Sequence, residues 1–144
     1  MRVTCQRVEK AKCVVNNEVT GEIKQGLLVF VGFKQDEDEE NLKSMAKKLA
    51  HARLFDDQDG KMNLSVMDIK GSILSISQFT LYADTKKGHR PSYDRAAKAN
   101  VAKEYYDRFN QYLSEWIHVQ TGIFQADMKI EAHNDGPVTI WYEN

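Results

Sequence analysis

Two cysteines, two prolines and no long apolar run are what this chain conspicuously has little of, and each shortage removes a class of protein. Cys5 and Cys13 make neither a CxxC pair nor a disulfide framework, so both read as small, reduced thiols in or near the core. No stretch approaches the roughly 20 apolar residues that span a bilayer. Met1-Arg2-Val3-Thr4 lacks the apolar region of a signal peptide. The expectation is a soluble, cytoplasmic protein with no membrane partner. An excess of one charge is missing too: 20 basic against 21 acidic residues leave a formal net charge of −1. A nucleic-acid partner therefore requires a local basic patch. His51, His89, His118 and His133 are scattered, without HxxxH or HExxH spacing. No metal and no cofactor are expected, and no G-x-S-x-G elbow is present.

What is there suits an ordinary folded chain. It is 42% hydrophobic and 28% charged over 144 residues, which reads as one domain spanning 1–144. Met1 to Val8 begins as a strand. Lys12 to Val15 and Glu18 to Ile23 flank Asn16-Asn17, a two-residue hairpin turn. Gly26 to Phe33 is apolar and glycine-bounded, as a strand buried on both faces should be. Leu42, Met45, Leu49 and Ala52 recur at helical spacing behind an acidic cluster. Asp36 is the expected N-cap, with Glu37 to Glu40 at the positive end of the dipole. Asp56 to Gly60 reads as a polar turn, and Ile73 to Phe79 as a second buried strand. A second helix is expected over Ala96 to Ile117, with Ala102, Tyr105, Phe109, Leu113 and Trp116 on one stripe. Met128, Ile130 and Ala132 alternate with polar residues, and Val138 to Tyr142 is the expected hairpin partner across Asn134-Asp135-Gly136-Pro137. The sum is an α+β fold: a curved, barrel-like, mostly antiparallel sheet with two main helices.

Two segments stand out as candidate chemistry. Ser77-Gln78-Phe79-Thr80-Leu81 places hydroxyls where a strand gives way to a turn, where main-chain amides are free for a ligand. A structural role for those hydroxyls, bonding local backbone, is the plain alternative. Asn134-Asp135-Gly136-Pro137-Val138-Thr139 has the composition of a favoured turn. Its Pro137 cannot donate a ladder hydrogen bond, and Gly-Pro is a place where a cis peptide is affordable. Its carbonyls could then form a rigid wall. Lys86, Lys87, His89 and Arg90 make a short cationic run soon after Thr80, either a solvated loop or a phosphate-binding rim.

These two segments, with Gly60-Lys61-Met62-Asn63-Leu64-Ser65, Lys87-Gly88-His89-Arg90-Pro91 and Thr121-Gly122-Ile123-Phe124-Gln125-Ala126-Asp127-Met128, closely resemble the D-aminoacyl-tRNA deacylase family over nearly the whole chain. One departure is Gln125, where the family usually has glycine. The resemblance implies a homodimer that hydrolyses the ester between a D-amino acid and the 3′ end of tRNA. It implies that Gly136 and Pro137 of one subunit reach into the other's active site as a chirality gate. Ser77, Gln78, Phe79 and Thr80 would line the pocket, with main-chain amides of Phe79 and Thr80 as the catalytic groups. Lys86, Lys87 and Arg90 would meet the tRNA. An ester needs an oriented water and oxyanion stabilisation more than a strong nucleophile, so a substrate ribose hydroxyl could assist the water. A backbone wall has nothing to push against in glycine, so glycyl-tRNA should also be a substrate. Thr80 as a covalent nucleophile is the mechanistic alternative. A non-catalytic tRNA-binding module, a dimerisation domain and an editing domain like that of archaeal threonyl-tRNA synthetases are the functional ones.

Overall fold

The computed structural model describes residues 1–144. Its spine is β1 (Arg2–Val15), one unbroken strand where the sequence suggested two pieces. β2 (Glu18–Ile23) and β3 (Gly26–Gly32) lie end to end along one edge of β1, both antiparallel to it. Asn16 and Asn17 adopt φ of 50° and 65° between β1 and β2. That is the backbone a two-residue hairpin turn demands. β6 (Ser72–Ser77) runs parallel to β3, and β7 (His118–Thr121) parallel to β6. β2 curls back against β6 and β7, so the sheet nearly closes into a barrel. A separate small hairpin, β4 (Arg53–Asp56) and β5 (Met62–Ser65), is built around the polar turn seen in the sequence.

The C-terminal segment departs from expectation. It is one strand, β8 (Lys129–Glu143), and not a hairpin. Both halves pair with β1, which is long enough to take them in sequence. Gln6 pairs with Thr139 and Val8 with Asn134, so residues 135–138 stand opposite Arg7 alone. What the sequence read as a turn between two partners is an outward bulge in a single strand. A proline is tolerated there because the ladder is already interrupted.

α1 (Glu39–His51) and α2 (Ala99–Ser114) pack together on one face of the sheet. The α1 cap is Asp38, not Asp36: its carboxylate accepts from the Glu40 amide at 3.0 Å. α2 is shorter than its periodicity suggested. Its buried stripe is Ala102, Tyr106, Phe109 and Leu113. Tyr105 is only half-buried, and Trp116 lies beyond the helix, exposed and edge-on to His51. The helix turns 100° per residue, which brings Tyr106 rather than Tyr105 into register with Ala102 and Phe109. Two cores result. Val3, Cys5, Leu27, Val29 and Ile73 face the helices, whereas Ala11, Cys13, Leu28, Leu74 and Ile76 fill the barrel. β1 changes face at Arg7 and Val8, consecutive buried residues at the bulge. Burial of a side chain the size of Phe109 contributes roughly 1.5–3 kcal/mol, so the stripe on α2 anchors the helix well beyond its intrinsic propensity.

Candidate active site

β3 and β6 are parallel neighbours, so their C-terminal ends finish side by side. The chain leaves both strands there and opens a cleft of about 580 Å³. This is the usual place for a site in parallel strands, outside their carboxyl ends. One wall is Val31 to Phe33 and Ile76 to Phe79. The facing wall is Phe124 to Ala126 with Met128 and Ile130, and the start of α2 closes a side with Ala99 and Ala102. No ionisable side chain lines it.

The first wall is set by backbone. The Gln78 amide donates to the Val31 carbonyl at 2.7 Å, continuing the β3–β6 ladder one residue past its end. Gly32 permits this approach, since a Cβ there would stand 2.8 Å from the Gln78 carbonyl oxygen. β6 then gives way to a 3₁₀ turn over Phe79–Tyr82, earlier than the strand end expected from sequence. In that turn the amides of Leu81 and Ala83 donate to Gln78 and Thr80. Phe79 and Thr80 precede the residues so satisfied, and their amides have no partner within the turn. The turn is braced from below. Arg2 donates from Nη1 to the Leu81 carbonyl at 3.0 Å and stacks on the Tyr82 ring at 4.5 Å. Burial pushes the Tyr82 hydroxyl up to about 12, so it stays neutral.

The cleft thus brings together Ser77, Gln78 and Phe79 of the expected site residues. Thr80 lies outside its lining. The Thr80 hydroxyl accepts from Gln78 Nε2 at 2.6 Å, so its neighbour is an amide and not a base. Gly136 and Pro137 do not line the cleft of their own chain and are exposed. The Gly136–Pro137 peptide is cis, and Gly136 has φ of 118°, a conformation reserved for glycine. Behind them sits Arg7, 7% exposed. Its Nε donates to the Asp135 carbonyl at 3.2 Å and pairs with the Asp135 carboxylate, also at 3.2 Å. Its Nη1 donates to the Leu54 carbonyl at 2.8 Å and reaches Asp56 at 3.4 Å. One buried guanidinium therefore ties the bulge of β8 to β4. Lys86, Lys87 and Arg90 are exposed on the loop beyond the 3₁₀ turn and do not line the cleft.

Sequence reasoning missed Phe33, at the exit of β3, and Ala97, Ala99 and Ala102, which the lead-in and first turn of α2 bring to the cleft. It also missed Arg7, whose one signal was an arginine in an otherwise apolar alternation. Gln125 lines the cleft at φ of 63° in the turn closed by the Ala126 amide on the Ile123 carbonyl. That left-handed backbone accounts for the glycine that the resemblance leads one to expect there.

Comparison with known proteins agrees with this fold. A family model described as D-Tyr-tRNA(Tyr) deacylase matches residues 4–143. A solved structure described as a c-Myc DNA unwinding element binding protein is 34% identical, with a TM-score of 0.95 over 100% of this chain and 99% of that one. Another, described as a probable eukaryotic D-amino acid tRNA deacylase, shares the fold at 20% identity. Its TM-score is 0.85 over 98% of this chain and 97% of that one. With a strand-end cleft lined by apolar and uncharged residues and a family match across nearly its full length, the chain belongs to the D-Tyr-tRNA(Tyr) deacylase family and is a hydrolase of D-aminoacyl-tRNA.

Proposed function

We propose that this chain acts in the cytoplasm as a homodimer that removes D-amino acids, and glycine, from tRNA by water attack, with the Gly136–Pro137 bulge of one subunit closing the cleft of the other. The observation that carries the mechanism is the absence of any ionisable side chain from the cleft lining. The lining that this chain supplies offers no general base, which favours loss of the proton through water or a hydroxyl of the substrate's ribose. What the protein contributes is orientation and two main-chain donors, the amides of Phe79 and Thr80, for the developing oxyanion. Ser77 and Gln78 hold the aminoacyl group and the terminal adenosine. The Thr80 hydroxyl's one partner is the Gln78 amide, which can donate a hydrogen bond but cannot take the hydroxyl's proton. That disfavours the covalent alternative.

Two features support the dimer. β8 pairs only with β1, leaving its other edge open, and it carries the half-exposed Trp141. The exposed bulge, tethered by Arg7, has no role in its own subunit's cleft. A wall of carbonyls delivered from a second copy would reject an L side chain and ignore the identity of a D one. It would also admit glycine. Lys86, Lys87 and Arg90 would meet the phosphates of the acceptor end. The deciding experiment is a deacylation assay on D-tyrosyl-, L-tyrosyl- and glycyl-tRNA, with sedimentation to read the oligomeric state. D-tyrosyl- and glycyl-tRNA should be hydrolysed and L-tyrosyl-tRNA spared. Equal turnover of the D and L substrates, or full activity from a monomer, refutes the gate.

A further inference from the structure

The loop from the 3₁₀ turn to α2 is the chain's densest run of cations. Lys86, Lys87, His89, Arg90, Arg95 and Lys98 are all exposed, and none enters an ion pair. The loop's two acids, Asp84 and Asp94, offset only part of that charge. Asp84 accepts from the Lys86 amide at 2.9 Å and Asp94 from the Ser92 hydroxyl at 2.7 Å. Yet the loop is not loose. Asp84 and Ser92 exchange both backbone hydrogen bonds, at 2.7 and 3.0 Å, and the Ala97 amide donates to the Phe33 carbonyl at 2.9 Å. Tyr93 is fixed between these ties.

Its ring meets Phe79 edge to face, with centroids 5.0 Å apart. Phe79 is 55% and Tyr93 37% exposed, although large aromatics ordinarily hide. Phe79 is also part of the cleft wall. An edge-to-face pair uses the face of only one ring, so ring face remains open to a third aromatic. Exposed rings beside an excess of positive charge are what unpaired nucleic acid requires: a π surface for the base and cations for the phosphates. In a chain of net charge −1, this combination is a local one.

We propose that Phe79 and Tyr93 form a stacking platform for the unpaired nucleotide that precedes the terminal adenosine of the tRNA. Lys86, Lys87 and Arg90 follow its phosphates. The proposal rests on the deacylase reading of the cleft and extends the site one nucleotide outward. It makes Tyr93 a positioning residue, since it touches no reacting atom.

The test compares Tyr93→Ala and Tyr93→Phe on two substrates, D-tyrosyl-tRNA and D-tyrosyl-adenosine, the second of which has no preceding nucleotide. Binding of a short single-stranded RNA ending in CCA is followed by fluorescence anisotropy, which needs no catalysis. Tyr93→Ala should raise KM for D-tyrosyl-tRNA and Kd for the RNA by about tenfold, the loss expected for one stacked base. It should leave kcat, and turnover of D-tyrosyl-adenosine, within twofold. Tyr93→Phe should behave as wild type. An unchanged Kd and KM in Tyr93→Ala, or an equal loss on both substrates, overturns the platform. So does dissociation of a dimer by Tyr93→Ala, which would mean that a second copy covers the rings. RNA binding that depends on Tyr93 in a protein that hydrolyses neither substrate would uphold the platform and sink the deacylase reading. Hydrolysis of both substrates, indifferent to Tyr93, would do the reverse.

Discussion

Replacing Arg7 with methionine separates what holds the β8 bulge from what the bulge does. Methionine keeps an unbranched apolar stem and removes the guanidinium. The loss can be estimated from its partners. The Leu54 carbonyl, bonded at 2.8 Å beside a buried guanidinium, loses its charged donor, and an orphaned buried acceptor costs about 1–3 kcal/mol. The hydrogen bond from Nε to the Asp135 carbonyl and the ion pair that the same Nε makes with the Asp135 carboxylate are lost as well. The Asp56 and Asp135 side chains are partly exposed and re-solvate, so their share is smaller. The total is about 3–4 kcal/mol, at the lower end of what breaking a buried charged network costs. Urea denaturation should show a lower midpoint with an unchanged slope. On the gate reading, the freed bulge should also let the ratio of D- to L-tyrosyl-tRNA turnover collapse, while wild-type turnover of the D substrate is largely kept. Arg7→Lys should behave like methionine in selectivity, because one ammonium cannot span Leu54 and Asp135 as a planar fork does. A methionine variant within 0.5 kcal/mol of wild type would refute the energetic reasoning. Undiminished selectivity in a clearly destabilised variant would refute the link from Arg7 to the bulge.

Three further outcomes are expected. Thr80→Ala should keep turnover within about tenfold of wild type, because the hydroxyl's one partner is Gln78. A loss of 10³ or more, or a trapped acyl-enzyme, would restore the covalent alternative. Gln125→Gly should stabilise the fold by up to about 1 kcal/mol in a denaturant melt. Removing a left-handed non-glycine residue recovers roughly 1–2 kcal/mol, and the added freedom of the unfolded glycine takes back about 0.5–1 kcal/mol. Burial pushes the Cys5 thiol up to about 12 from 9.0. A pKa raised in the folded state means that the native protein holds its proton longer than the unfolded chain. That stability is complete below pH 9 and is lost as pH climbs toward 12. Melts at pH 7 and pH 10.5 should therefore diverge more in wild type than in Cys5→Ala, and native Cys5 should resist a thiol reagent at pH 8.

The local elements were legible because their causes are local. Asn16-Asn17 specifies a turn by backbone preference alone, and the 3.6-residue spacing of Leu42, Met45 and Leu49 specifies a helix wherever it packs. The motif segments likewise announced the family and the Ser77 to Phe79 part of the first cleft wall. The errors arose where partners far along the chain decide. Asn134-Asp135-Gly136-Pro137 has the composition of a turn, and only the length of β1 makes it a bulge in a continuous strand. The strand of Ser72–Ser77 ends beside β3 because its ladder bonds, the last from the Gln78 amide to the Val31 carbonyl, reach across 47 residues of sequence (78 − 31), and the 3₁₀ turn begins at the next residue.

By itself, then, the sequence determined the α+β class, the hairpin, the two helices, the basic loop and the residues of the strand-end turn. Only the tertiary structure decided which strands run parallel and which strand ends meet at the cleft. It also decided that Phe124 to Met128 would face Ser77 to Phe79, and that Arg7 would stand behind the bulge. Periodicity and turn preference act between near neighbours. A cleft is the meeting of strand ends brought together by burial of the whole core, and no short window of residues contains that information.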